Sequence, residues 1–183
     1  PAKALCLCLG AAFLLCVPGL GLGLLADDYM HIAVVEQRIP VGGPLDLFDW
    51  APGNAAAIHP RIYHGPYPWT TNPEVRVVFC RPLSSALIVL DHALFKHLVP
   101  LQHLHSILWY GLAIVACHLL FRRRLPGPVA FLALFLFAVD ESHLFAALWL
   151  ANRNALVAAV PVLFGLCAHL RWREEGWKPG LPL

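Results

Sequence analysis

Apolar residues fall into four runs along the chain, and polar residues separate these runs or end them. The first run covers residues 4–25, and the others cover residues 101–121, 126–139 and 154–170. A helix that crosses the hydrocarbon core of a bilayer needs about 20 mostly apolar residues. The pattern therefore predicts an all-α polytopic membrane protein, in which about four transmembrane helices form one membrane module over residues 1–183.

A long segment rich in polar residues, 26–100, separates the first two runs. It contains no apolar stretch long enough to span, so we expect a loop outside the bilayer. Residues 81–98 favour a helix, because Pro82 suits a first helical turn and leucines recur along one face: Leu83, Leu87, Leu90, Leu94 and Leu98. We predict that this loop carries an amphipathic interfacial helix, which rests on the bilayer surface.

The third and fourth runs allow two interpretations. In one, a single span covers residues 129–150 and places Asp140 and Glu141 near mid-membrane, where each acid costs about 2.5–3.5 kcal/mol. In the other, the third span ends before Asp140 and the fourth starts at about Asn154, with the intervening residues in the outer interface. We favour the second interpretation, because it leaves no carboxylate in the hydrocarbon.

Composition agrees with a lipid environment. The 183 residues are 59% hydrophobic and 13% charged, whereas soluble domains are about 45–50% apolar and about 25% charged. The net charge of +2 gives no reason to expect a nucleic-acid partner. The first run also resembles a signal peptide, but cleavage after Ala26 would place Leu24 where a small residue is needed, so we favour an uncleaved anchor.

The basic residues predict the orientation. If four crossings alternate, Lys3, residues 122–124 and the C-terminal group Arg171, Arg173 and Lys178 all fall on one side. By the positive-inside rule this side is cytoplasmic. We therefore expect both termini in the cytoplasm and the loop 26–100 outside, and the residue usage suggests a bacterial inner membrane. Because the sequence starts at Pro1 and stops after Leu183, we also expect a fragment of a longer chain.

Two features of the predicted outer face have chemical interest. Asp27 and Asp28 directly follow the first span, and adjacent carboxylates suit a general base or a divalent cation site. Arg153 lies beside an apolar run, where a guanidinium would suit a phosphate. The alternatives are an acidic flank that merely ends the helix and a snorkelling arginine. We expect most other charged and histidine residues of this face to be exposed loop residues, and no metal motif is evident among the histidines and cysteines.

The order of several segments resembles the N-terminal part of GT-C membrane glycosyltransferases, most closely protein O-mannosyltransferase relatives, including those with tetratricopeptide repeats. The resemblance rests on a first span followed by Asp27-Asp28-Tyr29, a loop helix that opens with Arg81-Pro-Leu83, the segment 137–143 and the segment 149–153. It covers nearly the whole chain, although no single motif is specific.

The resemblance implies transfer of a sugar from a polyprenyl-phosphate donor at the outer membrane face. In that family an acidic residue after the first span acts as the base, or as a metal ligand in some branches. Asp27 or Asp28 would match it, with Asp27 slightly favoured. Arg153 would contact the donor phosphate, and Arg81 would be a structural or donor-side residue. His143 would join the substrate-binding residues.

The chain also departs from the family pattern. Residues 140–143 replace the usual His-Pro turn, Asp28 stands where Glu is common, and family members have more spans.

The expected partners are the lipid bilayer and a lipid-linked sugar donor, and no acceptor is predicted. The alternative function is a non-enzymatic four-span assembly or scaffold protein whose outer loop binds a partner through Trp50, Tyr63, Tyr67 and Trp69. A transporter fragment is weaker, because the favoured interpretation leaves no acid at mid-membrane.

Overall fold

The computed structural model of the chain describes residues 2–39, 43–63, 65 and 67–180, and in this part the chain is mainly helical. The helices are α1 (Ala2–Cys16), α2 (Asp27–Val35), α3 (Ala55–Tyr63), α4 (Pro82–Phe95), α5 (Val99–Arg124), α6 (Gly127–Val139), α7 (Leu144–Leu148) and α8 (Asn154–Glu175). Short 3₁₀ helices cover Val17–Gly21, Glu141–His143, Leu150–Arg153 and Lys178–Gly180. Two short strands, β1 (Asp49–Pro52) and β2 (Arg76–Val78), pair antiparallel.

Within the described residues, three continuous helical segments are long and apolar enough to cross a membrane: Ala2–Gly21, Val99–Arg124 and Leu150–Glu175. A fourth crossing is possible only if α6 and the helical residues Glu141–Leu148 count as one bent span. The expectation of a mainly α-helical chain with membrane-spanning segments is thus confirmed at this coarser level. The number of about four spans stays a prediction.

The third apolar run breaks where the favoured interpretation requires it. Helix α6 ends at Val139, Asp140 is extended, and the chain bends by 48° before it continues. The Asp140 carboxylate stabilises the break, because Oδ1 accepts the N–H of Ser142 at 2.9 Å. At about 1.5 Å per residue, α6 alone is shorter than a hydrocarbon core of about 30 Å. Helix α8 starts at Asn154, directly after the 3₁₀ helix Leu150–Arg153, and the two together form the continuous segment Leu150–Glu175.

The chain divides into two compact units. The helical unit comprises residues 1–23 and 99–183, and α5 packs there against α1, α6, α7 and α8. Its interior is formed by small and apolar residues around Tyr110, whose hydroxyl donates to the carbonyl of Phe137 at 3.0 Å. Small residues allow close backbone approach in membrane helices. Gly19 is such a case, because a Cβ there would lie 2.4 Å from Leu148 Cδ2.

The loop unit comprises residues 24–98 and contains α2, α3, α4 and the strand pair. Leu47, Phe48, Ala51 and Ile58 are its largely inaccessible apolar residues. A helix is present within the predicted segment 81–98 as α4, and its polar face is the one that is buried. Its buried residues are polar, namely Ser84, Ser85 and Asp91, whereas four leucines of the predicted stripe are exposed: Leu83, Leu90, Leu94 and Leu98. An exposed leucine face suits the predicted position on a bilayer surface, which stays a prediction.

Candidate functional site

Asp27 and Asp28 open helix α2, but their environments differ. The Asp28 carboxylate is buried, and its Oδ2 accepts the N–H of Leu25 at 2.9 Å while the Asp28 N–H donates to the Leu25 carbonyl at 2.8 Å. These two bonds close a turn around Ala26, which has φ 38° and ψ −106°. This is close to the first central position of a type II′ turn, where glycine is usual. Asp28 therefore helps to hold a strained turn, and Asp27 is the less buried carboxylate of the pair.

A buried polar cluster lies in the same unit as Asp27. Arg61 is 4% exposed, and its Nη1 donates to the carbonyl of Asp49 at 3.2 Å and to that of Trp50, which also accepts the Tyr67 hydroxyl. Burial raises the pKa of Tyr67, Arg61 opposes this, and the carboxylates of Asp49 and Asp27 add to it. Asp27 is therefore near enough to act electrostatically on a buried phenol.

His31 is the second buried polar side chain of α2. It is 2% exposed, its ring centroid lies 4.7 Å from that of Phe48 and 5.0 Å from that of Trp50, and its Nε2 has no hydrogen-bond partner among the described residues. Burial, and to a lesser degree the positive charge of Arg81, lower its pKa to about 4. His31 and Arg61 belong to the predicted outer face, where we expect most charged and histidine residues to be exposed, but both are buried.

Arg81 has a role in the fold of the loop unit. Its guanidinium carbon lies 4.9 Å from the ring centroid of Phe48 and 4.5 Å from that of Phe79. Its carbonyl accepts both the amide and the hydroxyl of Ser85, at 3.0 and 3.1 Å, and so starts helix α4. Of the two roles that the resemblance allowed, these contacts support the structural one.

Arg153 lies in the helical unit and is 2% exposed. It ends the 3₁₀ helix that leads into α8, and its Nη1 lies 3.3 Å from Nδ1 of His105 on α5. Trp109, one helical turn further along α5, donates from Nε1 to Nε2 of the same histidine at 3.2 Å. A buried guanidinium is expensive unless it is paired or binds an anion, so this environment is unusual for a merely snorkelling arginine.

The start of helix α5 is unusually polar for a membrane-spanning segment. Gln102, His103 and Ser106 are all buried, and His103 Nε2 lies 3.2 Å from the carbonyl of Leu22. Four buried polar atoms of this unit have no hydrogen-bond partner among the described residues: His103 Nδ1, Ser106 Oγ, His143 Nε2 and Trp149 Nε1. Such groups in a native fold call for an explanation, and a bound water or a polar ligand is a common one.

His143 lies in the bend after α6. Its ring packs edge-on against Phe137 at 4.3 Å and Tyr110 at 5.7 Å between centroids, and its Nδ1 lies 3.0 Å from the Ser142 hydroxyl. His143 therefore packs in the same part of the interior as Tyr110 of α5. The sequence offered no signal for this contact beyond the polar interruption at residues 140–143.

The predicted site residues fall into both units. Asp27, Asp28 and Arg81 belong to the loop unit, and His143 and Arg153 to the helical unit. Within the described chain, no group of three or more histidine, cysteine, aspartate or glutamate side chains is arranged to hold a metal ion. A divalent cation bound by Asp27 and Asp28 would have to compete with the Leu25 amide for the Asp28 carboxylate. These two residues therefore fit a cation poorly.

Comparison with known proteins leaves the resemblance as a hypothesis. No protein-family model, no curated protein and no solved structure matches this chain.

Proposed function

We propose that this chain is the N-terminal membrane module of a glycosyltransferase of the GT-C type, which takes a sugar from a polyprenyl-phosphate donor at the outer membrane face. The observation that carries the proposal is Arg153, a guanidinium buried at the start of an apolar segment long enough to span a membrane. The buried polar atoms of α5 and the bend support it, because they offer further hydrogen bonds to a polar headgroup.

The proposed reaction is a direct displacement at the anomeric carbon. An acceptor hydroxyl gives its proton to the Asp27 carboxylate and its oxygen forms the new bond to that carbon. The bond between the anomeric carbon and the phosphate oxygen breaks, and the polyprenyl phosphate leaves with the electron pair. Arg153 stabilises the negative charge that grows on the leaving phosphate, because a guanidinium can bind two phosphate oxygens at once.

Asp27 is the better base of the pair. Asp28 already accepts the Leu25 amide and is 3% exposed, which suits a structural carboxylate. Asp27 is more accessible and is free to receive a proton without opening that turn. His143 would bind the donor sugar or its phosphate through Nε2, and Arg81 would keep the loop helix in position.

The orientation in the proposal follows the charged helix ends. Arg123 of α5 pairs with Glu174 and Glu175 of α8, so the C-terminal ends of these two helices meet. Both ends are rich in arginine, which supports a shared cytoplasmic side. The start of α5 and Arg153 then belong to the outer side of a membrane, and a bacterial inner membrane is the proposed location.

The test starts with the intact mass of the native protein from its own membranes. A mass well above 20.2 kDa would mean that the native chain is longer and can supply further spans for a donor site. Sugar transfer from polyprenyl-phosphate donors is then measured with that native protein. We expect Asp27→Asn to lower transfer by about 10²–10⁴-fold and Arg153→Gln by about 10²–10³-fold. Glu74→Gln, which removes an exposed carboxylate of the same unit, is the control. Normal turnover in an Asp27→Asn, Asp28→Asn double variant would overturn the catalytic assignment.

The second candidate function is a scaffold protein whose outer loop binds a partner. Tyr63 and Trp69 favour it, because they are 76% and 86% exposed, whereas Trp50 and Tyr67 are used within the loop unit. Under this function a double variant of Tyr63→Ser and Trp69→Ser would lose partner binding, and neutral replacement of Asp27 would have no effect. If sugar transfer survives the Tyr63→Ser and Trp69→Ser double variant but not the replacement of Asp27, the scaffold function is excluded.

A further inference from the structure

A groove lies between the C-terminal turns of α5 and α8, at the arginine-rich end of the helical unit. It has a volume of about 520 Å³. Its charged lining consists of three arginines and two glutamates: Arg122, Arg123, Arg171, Glu174 and Glu175. The groove involves none of the residues proposed for sugar transfer, so the inference below is independent of the proposed function.

Neighbouring arginines occupy both carboxylates. Arg123 Nε lies 2.8 Å from Glu174 and another nitrogen of its guanidinium contacts Glu175, Arg124 also contacts Glu174, and Arg171 Nε lies 3.3 Å from Glu175. Arg122 lines the same groove but forms no ion pair with any carboxylate of the described residues. Two glutamates therefore face three lining arginines, which leaves a positive excess at the groove, with Arg122 as the lining arginine that is outside these ion pairs.

The rest of the groove is apolar. Leu119 and Cys167 form a wall that leads back along the two helices, away from the charged ends. The guanidinium of Arg171 lies 4.5 Å from the ring centroid of Trp177 and so stacks on a half-exposed aromatic residue. Tryptophan and arginine at the end of an apolar helix are typical of the level of lipid headgroups.

These features select one chemical class of ligand. A positive rim suits a phosphate, and a guanidinium can bind two of its oxygens. An adjoining apolar wall at the end of two candidate membrane spans suits the glycerol and first methylenes of an acyl chain. Basic pockets between membrane helices on the cytoplasmic side bind anionic headgroups in this way. A free inorganic phosphate would use the rim and leave the wall uncovered.

We propose that the groove between the ends of α5 and α8 binds the headgroup of an anionic phospholipid, whose phosphate is held by Arg122 and Arg171. The ion pairs of Arg123 orient the two helix ends, and Arg122 supplies the charge that the bound phosphate neutralises. Lipid binding then links α5 to α8 at this end of the unit.

The test uses the full chain in lipid nanodiscs or detergent, titrated with phosphatidylglycerol, phosphatidylcholine or inorganic phosphate and followed by native mass spectrometry and by thermal unfolding. We expect phosphatidylglycerol to bind and raise the melting temperature, whereas phosphatidylcholine does not. Arg122→Gln should weaken phosphatidylglycerol binding by about tenfold, because it removes a charge-assisted hydrogen bond to the phosphate. Arg122→Lys keeps the charge but cannot bind two phosphate oxygens at once. Its affinity for phosphatidylglycerol should therefore lie between those of the wild type and Arg122→Gln.

The matched control is Arg173→Gln. It removes the same charge at the same end of the helical unit, from α8 instead of α5, but Arg173 lies over the Trp172 ring and does not line the groove. Equal lipid affinity of Arg122→Gln and Arg173→Gln would overturn the proposal. Equal stabilisation by phosphatidylcholine would do so too, as would complete displacement of phosphatidylglycerol by millimolar inorganic phosphate, which would indicate a site for the free anion. An unchanged melting temperature of Arg122→Gln in phosphatidylcholine would show that the variant is folded.

Discussion

Arg153 places its Nη1 3.3 Å from Nδ1 of His105, while Trp109 donates to the other ring nitrogen of that histidine at 3.2 Å. A neutral imidazole has one N–H and one acceptor nitrogen. If Trp109 donates to Nε2, the proton of the ring is on Nδ1, and the ring then offers Arg153 no lone pair. The neutral ring can therefore accept a hydrogen bond from only one of the two donors, so Trp109 and Arg153 compete for His105.

The first prediction concerns the tautomer of His105. Trp109→Phe removes the donor to Nε2, so the ring can carry its proton there and accept from Arg153 through Nδ1. We expect the population to change in favour of the Nε2–H form by about fivefold, from a net hydrogen-bond contribution of about 1 kcal/mol. The ¹⁵N chemical shifts of the His105 ring measure this change. Trp172→Phe, which removes a tryptophan that packs on His169, should leave the shifts unchanged.

The two aspartates of α2 should have different roles, in which Asp28 stabilises the fold and Asp27 serves the chemistry. Asp28→Ala removes a buried acceptor from the Leu25 amide and should lower the free energy of unfolding by about 1–2 kcal/mol. Asp27→Ala should lower it by only about 0.5 kcal/mol, the contribution of a carboxylate in a first helical turn. Chemical unfolding of the full chain, monitored by hydrogen exchange in residues 24–98, gives both values. A larger loss for Asp27→Ala than for Asp28→Ala would reverse the assignment.

Hydrophobic patterning predicted the long apolar helices and α4, but it predicted neither the short helices α2 and α3 nor the burial of polar side chains. The end of α6 follows from Asp140 and the start of α8 from Asn154, because a charge and an amide interrupt apolar runs. The burial of His31, Arg61 and Arg153 depends on contacts far along the chain, and a single sequence does not encode these locally. The same holds for the pairing of β1 with β2.

His31 should make the loop unit sensitive to acid. Its pKa is about 4 in the folded chain, and the ordinary value is about 6.5. Because the unfolded chain binds a proton that the folded chain rejects, stability is complete above pH 6.5 and falls as the pH decreases towards 4. The loss should be about 1.4 kcal/mol per pH unit and about 3 kcal/mol in all. Hydrogen exchange of residues 24–98 between pH 4 and pH 7.5 measures it.

Two variants isolate the contribution of His31. His31→Phe should remove most of this pH dependence, since a phenyl ring fits between Phe48 and Trp50 and does not titrate. His59→Gln, which changes an exposed histidine of the same unit, should keep it. The contact of Glu36 with His92 at 3.8 Å is present in both variants, so the difference between them belongs to His31. Identical pH profiles for wild type and His31→Phe would contradict the prediction.

Gly19 and Leu148 should show an energetic coupling. A Cβ on residue 19 would lie 2.4 Å from Leu148 Cδ2 and 2.6 Å from Cδ1, so Gly19→Ala forces the leucine side chain out of its position. We expect Gly19→Ala to lower the free energy of unfolding by about 1–3 kcal/mol, as overpacking usually does. In a Leu148→Ala background the clash is absent, and the same substitution should cost little. Denaturant unfolding in mixed micelles measures the four variants of this cycle.

Gly21→Ala provides the matched control for this cycle, because it makes the same change in the same 3₁₀ helix and no atom lies within 4 Å of the new Cβ. It should cost less than Gly19→Ala, and its cost should not depend on residue 148. If Gly19→Ala costs the same with leucine and with alanine at position 148, the contact between the 3₁₀ helix and α7 does not limit the packing there. The close approach of Val17–Gly21 to α7 would then contribute little to the stability of the helical unit.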